Sequence, residues 1–105
     1  MLTRSLTEAE FKATFGAKML NVTEKATDVL DIWPYVHSVP PADLQGHSLR
    51  DGLIECVYRT DDGLFDHVLV MTNTRDVYLA VVVDLRRDRI HGHRLLNLKT
   101  EYGLA

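Results

Sequence analysis

His91 and His93, close to the end of the chain, have the residue types and spacing that could do chemistry. On a β-strand, residues two apart share a face, which puts their Cα atoms ~7 Å apart with both imidazoles pointing the same way. Two imidazoles at that spacing can share a divalent metal such as zinc. A third ligand from Asp84 or His67 would leave one position open for water. The candidate metal set is therefore Asp84, His91 and His93, and the wider ligand-binding set adds Tyr58 and His67. His67 lies one strand away from His93, at a Cα separation of ~10 Å, near the limit of convergence. A neutral histidine oriented by Asp84 could also serve as a general base.

Other candidates carry less. Cys56 sits mid-strand, where a small buried apolar residue is the ordinary reading. Arg86, Arg87 and Arg89, with Arg94 nearby, make one hairpin tip basic, and a basic β-ribbon can enter a nucleic-acid groove. Asp84 and Asp88 interrupt that patch and no aromatic is interleaved, so a solvated turn is favoured. Trp33 and Tyr35 could line a pocket under Pro40 and Pro41, though packed core is the simpler role. The chain has no phosphate-binding glycine loop, no nucleophile-elbow serine, no cysteine pair for zinc and no recognisable carboxylate dyad.

The elements that must position these residues are four strands within 51–98. Residues 54–60 alternate and are rich in β-branched and aromatic side chains, and Asp62-Gly63 after them is a strong hairpin signal. Residues 65–71 form the second strand, 73–76 a polar turn, 77–83 the most apolar strand and 90–98 the last, after a turn at 86–89. No connection is long enough for a crossover helix, so the sheet is an antiparallel meander.

Turn positions then set the pairing. Arg59 falls opposite Asp66, Tyr58 opposite His67, and His67 opposite Val82. On the last hairpin Asp84 falls opposite His91 and Val82 opposite His93. One face carries Val57, Val68, Val70, Leu79, Val81, Val83, Leu96 and Leu98. The other is mixed, with Ile54, Cys56, Tyr58, Phe65, His67, Leu69, Met71, Tyr78, Ala80, Val82, Asp84, His91, His93 and Leu95. A one-residue slip would send a strand's whole set to the opposite face.

Residues 1–50 read as helical cover and loop. Thr7 and Glu10 form a capping box, Leu6 and Phe11 a hydrophobic staple, and Phe11, Phe15 and Met19 one apolar stripe. Gly16 weakens this helix by ~1 kcal/mol relative to alanine. Thr23 opens a second helix with Ala26, Val29, Leu30 and Trp33 on one face, and Pro34 stops or kinks it at Trp33. A longer connection, 37–50, holds Pro40-Pro41 and a single helical turn at 42–44.

The expectation is one α+β domain over 1–105, with two N-terminal helices packed on one face of a four-stranded antiparallel β-meander. At 105 residues with 46% apolar and 26% charged composition, the chain supports one modest core. A net charge of −3 speaks against a dedicated nucleic-acid binder. The single cysteine fits a reducing compartment, and no apolar run approaches membrane-spanning length, which points to a cytoplasmic protein. Asn21-Val22-Thr23 matches the glycosylation pattern by coincidence in that setting. The mixed face needs a cover, either the 37–50 loop or a second subunit. A non-catalytic binding or assembly module that forms a homodimer is therefore the leading expectation. A His/Asp metal- or small-ligand-binding protein, such as a hydrolase, is the first alternative, and a nucleic-acid-associated protein using the arginine hairpin is the second.

Overall fold

A computed structural model describes residues 3–14, 19–21, 31–60 and 62–97. The chain is α+β. Helix α1 (Glu8–Thr14) is followed by strand β1 (Met19–Asn21), helix α2 (Trp33–His37) and a 3-10 turn (Pro41–Leu44). Then come β2 (Leu49–Thr60), β3 (Phe65–Thr72), β4 (Val77–Asp84) and β5 (Arg89–Asn97). All pairings are antiparallel, in the order β1-β2-β3-β4-β5. The expected four-strand meander is present, with β1 added on the β2 edge. Met19 pairs with Thr60 in β1, so the helical stripe does not extend to it. Phe15, Gly16, most of the expected second helix and Leu98 lie outside the described residues.

The first two hairpins keep the expected registers: Arg59 pairs with Asp66, Tyr58 with His67, and His67 with Val82. The last one does not. Asp84 pairs with Arg89 rather than His91, and Val82 with Gly92 rather than His93. Asp88 takes a left-handed conformation (φ 52°), and a bulge between Val82 and Val83 leaves His91 as the extra residue of β5. The consequence is a slip of one position, so His93 pairs with Val81 and Leu96 with Tyr78. Leu96 therefore joins the face opposite the expected one. Ile54 changes sides in the same way, because a bulge between Ile54 and Cys56 sets it opposite Val70.

Both faces are packed. On the first face, Val57, Val68, Val70, Leu79, Val81 and Val83 bury with Ile32, Tyr35, Val36 and Val39 from the α2 region. On the second, Cys56, Leu69, Ala80, Val82 and Leu96 bury with Leu6 and Phe11. The described helical segments thus contribute to opposite clusters rather than covering one face. The 37–50 connection also goes to the first face, where Leu44 and Leu49 pack, rather than to the mixed one.

Local chemistry explains these segments. Thr7 and Glu10 form the capping box: the Glu10 N–H donates to Thr7 Oγ1 at 3.1 Å and the Thr7 N–H to Glu10 Oε1 at 3.2 Å. Pro34 begins α2 rather than ending a helix. In the first turn its missing N–H removes no intrahelical bond, and Asp31 Oδ1 accepts the Trp33 N–H at 3.0 Å. Arg4 to Leu6 runs alongside β5 in parallel, with the Leu6 N–H donating to the His93 carbonyl at 2.8 Å and the His93 N–H to the Arg4 carbonyl at 2.9 Å. Among the described residues, no helix is long and apolar enough to cross a membrane.

Candidate functional site

The register shift carries His93 into the first-face core, where it is fully buried. Its ring is held at both nitrogens. Nε2 lies 2.8 Å from Asp43 Oδ2, and Nδ1 lies 2.7 Å from the Tyr35 hydroxyl oxygen. A carboxylate only accepts, so the Nε2 proton points to Asp43 and Nδ1 is left to accept from Tyr35. The Tyr35 oxygen in turn accepts the Arg4 N–H at 2.9 Å and stands 3.2 Å from the Arg4 carbonyl. Burial first, and then the charge of Asp43, pushes the Tyr35 hydroxyl above its ordinary value despite the Arg4 N–H. Tyr35 therefore stays protonated and serves as the donor in this chain.

Asp43 is the end that meets solvent, with 28% of its side chain exposed. It lines a cleft of about 530 Å³ between the 3-10 turn and the C-terminal end of β5, together with Ser5, Gln45, His47, Arg94, Leu95 and Asn97. The turn is fixed from both sides. Asp43 ties it to β5, while His47 Nδ1 lies 2.8 Å from Thr74 Oγ1 and the Asn73 N–H donates to the Ser48 carbonyl at 2.8 Å. Gln45 (φ 50°) and Gly46 (φ 86°) turn the chain in left-handed conformations between those anchors. A second hollow, about 690 Å³ beside the 73–76 turn, includes Thr72, Asn73 and Thr74. The Thr72 hydroxyl is spent closing that turn, donating to the Val77 carbonyl at 2.7 Å. Only the first hollow is backed by a buried polar chain.

The other sequence-derived candidates are dispersed. Tyr58, His67 and Val82 do form one row, but Gly92 rather than His93 completes it. His67 is buried under α1: its Nε2–H donates to Thr14 Oγ1 (3.2 Å), whose own proton goes to the Phe11 carbonyl (2.9 Å). The Phe11 ring meets it edge-on at 5.4 Å. Burial lowers the His67 pKa to about 4, so the ring is neutral at physiological pH. His91 stays on the second face, 5.7 Å from the Phe65 ring, and burial lowers its pKa.

Asp84, His91 and His93 therefore do not converge, and among the described residues no three His, Cys, Asp or Glu side chains are grouped as metal ligands. Asp84 instead accepts the Arg86 N–H at 3.1 Å, with the Arg86 and Arg87 guanidinium groups 3.6 and 3.9 Å away. Arg86 also lies over Phe65 at 5.7 Å, and Arg89 pairs with Asp84 in the ladder, so the expected basic patch is tied to a carboxylate. Burial pushes the Cys56 thiol up, as expected of a packed rather than a nucleophilic cysteine.

Sequence reasoning missed Asp43 and read Tyr35 as pocket lining or, more simply, as packed core. Fifty positions separate Asp43 from His93, and no spacing rule links them. The available signal was the single turn after Pro40-Pro41 in a loop of functional length. No family model, curated protein or solved structure matches this chain.

Proposed function

We propose that this protein is a small non-catalytic binding domain, with its ligand site in the cleft at the C-terminal end of β5. One observation carries the reading: two buried polar side chains, Tyr35 and His93, hold a single carboxylate, Asp43, at the mouth of a polar cleft. Burying such groups is costly unless they are fully bonded. The bonding achieved here fixes the one charged member that faces solvent. Ser5 and Gln45 beside it are neutral and the guanidinium of the lining Arg94 is drawn to the Phe11 ring, so the carboxylate suits a polar ligand carrying a hydrogen-bond donor or a positive charge.

The test is a screen of small polar compounds by amide chemical shift on the ¹⁵N-labelled chain. Binders are expected to shift Asp43, Gln45, Leu95 and Asn97 together, with at least tenfold weaker binding in Asp43→Asn. Binders that shift only other surfaces, or that bind the variant equally well, would overturn the proposal.

A second reading, self-association as a symmetric dimer, is favoured by Tyr58, Phe65 and Tyr78 on the second face. These rings pack against the second cluster while remaining half-buried. It requires a mass that rises with concentration in light scattering, and a shift towards monomer in Tyr78→Asp.

A further inference from the structure

We infer that the occupant of this cleft is an extended, basic peptide segment that adds to β5 as a strand and places a lysine or arginine side chain on Asp43. The inference rests on the cleft reading above and names its partner. The support comes from the edge of the sheet. His93 turns its backbone N–H and carbonyl outward to Arg4 and Leu6, which occupy the edge at that point. Alternate residues of a strand direct their backbone groups to the same side, so the N–H and carbonyl of Leu95 face the same edge, one step further on. The Arg4 to Leu6 segment does not follow them there, because the chain turns into α1 at Glu8. Among the described residues, no backbone group pairs with Leu95 on that edge. Leu95 and Asn97 line the cleft. An open donor and acceptor on a sheet edge is the template used in β-strand addition, where main-chain bonds give affinity and side-chain pockets give specificity.

The charge of the pocket follows from strand alternation. A residue laid beside Leu95 sends its side chain to the face where His93 meets Asp43, because aligned residues of neighbouring strands share a face. Two charged or titratable groups stand at the cleft on that side besides His93: Asp43, which accepts from His93 at 2.8 Å, and His47, held by Thr74 at 2.8 Å. Arg94 also lines the cleft, but its side chain alternates to the other face, where its guanidinium lies 5.5 Å over the Phe11 ring. With one carboxylate oxygen of Asp43 taken by His93, the other is the acceptor for an incoming cation, a charge-assisted bond in a partly shielded site. The chain's net charge of −3 favours the approach of a basic partner.

Three acetylated and amidated pentapeptides test this on the full ¹⁵N-labelled chain. The first alternates lysine and valine, the second replaces lysine with glutamate, and the third is the lysine peptide with its central amide N-methylated. The expected result is that the lysine peptide shifts the Leu95 amide and slows its hydrogen exchange. The glutamate and N-methylated peptides should bind at least tenfold more weakly. Asp43→Asn should bring the lysine peptide down to the glutamate level while leaving backbone protection at Leu95 measurable. An unmoved Leu95 amide at millimolar lysine peptide, or equal binding of the N-methylated form, would overturn strand addition. n-Butylammonium separates the two proposals. If it shifts Asp43 and Gln45 while the peptide leaves Leu95 untouched, the cleft stands and the peptide partner falls. If neither probe moves the cleft, both fall.

Discussion

Tyr35, behind the cleft, gathers three hydrogen-bond contacts on one oxygen. One hydroxyl serves His93, the Arg4 N–H and the Arg4 carbonyl, so it joins α2, the N-terminal segment and β5 at a single oxygen. Removing it leaves the buried His93 Nδ1 acceptor and the part-buried Arg4 N–H without that partner. The cost of such orphaned groups is about 1–3 kcal/mol. Tyr35→Phe is therefore expected to lower stability by about 2 kcal/mol in denaturant titration, with a matching loss of hydrogen-exchange protection at the Arg4 amide. An unchanged midpoint would mean that the hydroxyl network contributes little. The capping pair Thr7 and Glu10 was legible in the sequence because its partners are three residues apart and the bonding rule is local. The Tyr35–His93–Asp43 chain was not, because its members meet only after the sheet and both coverings are assembled.

At the scale of elements, the last hairpin decides where the chemistry sits. The four strands of the meander, their antiparallel order and two of three hairpin registers follow from alternation and turn residues, as Arg59–Asp66 and His67–Val82 show, whereas the three-residue edge strand β1 is too short to leave such a pattern. The third fails because a four-residue turn ending in left-handed Asp88 and a bulge at His91 leave little trace in side-chain pattern. One position of slip moved His93 from an open face to a core relay, and Leu96 with it into the second cluster. Gly92, next to the bulge, shows why β5 is built this way. A Cβ there would stand 2.6 Å from Leu6 Cδ2 and 2.8 Å from the Arg4 carbonyl oxygen. That oxygen is fixed by its bond from the His93 N–H, so relief requires the N-terminal segment to move off the edge. Gly92→Ala is expected to cost about 1–3 kcal/mol, the range for overpacking. Amide exchange should accelerate first at Leu6 and His93, while the β3–β4 ladder keeps its protection. A variant of wild-type stability with the Leu6 amide still protected would contradict this close packing.

Across the whole molecule, the two coverings lock a sheet that neither could protect alone. Arg4 to Leu6 lie on the β5 edge, α1 covers the second face, and β1 pairs on the β2 edge. The seam under α1 runs through His67, whose ring bonds Thr14 and meets Phe11. With burial lowering its folded pKa to about 4 against an ordinary 6.5, His67 gives stability a defined pH dependence. Above pH 6.5 the ring is neutral in both folded and unfolded chains and favours neither. As pH falls from 6.5 towards 4, the unfolded chain takes up a proton that the folded one refuses, and stability drops. The full difference amounts to about 3 kcal/mol. His67→Leu removes the titrating group and loses the Thr14 bond, so it starts less stable at neutral pH. Its denaturation midpoint should then fall less steeply on acidification. Urea titrations of both chains between pH 7.5 and 4 read this directly. Parallel pH profiles would place the acid sensitivity of the fold somewhere other than the seam between α1 and the sheet.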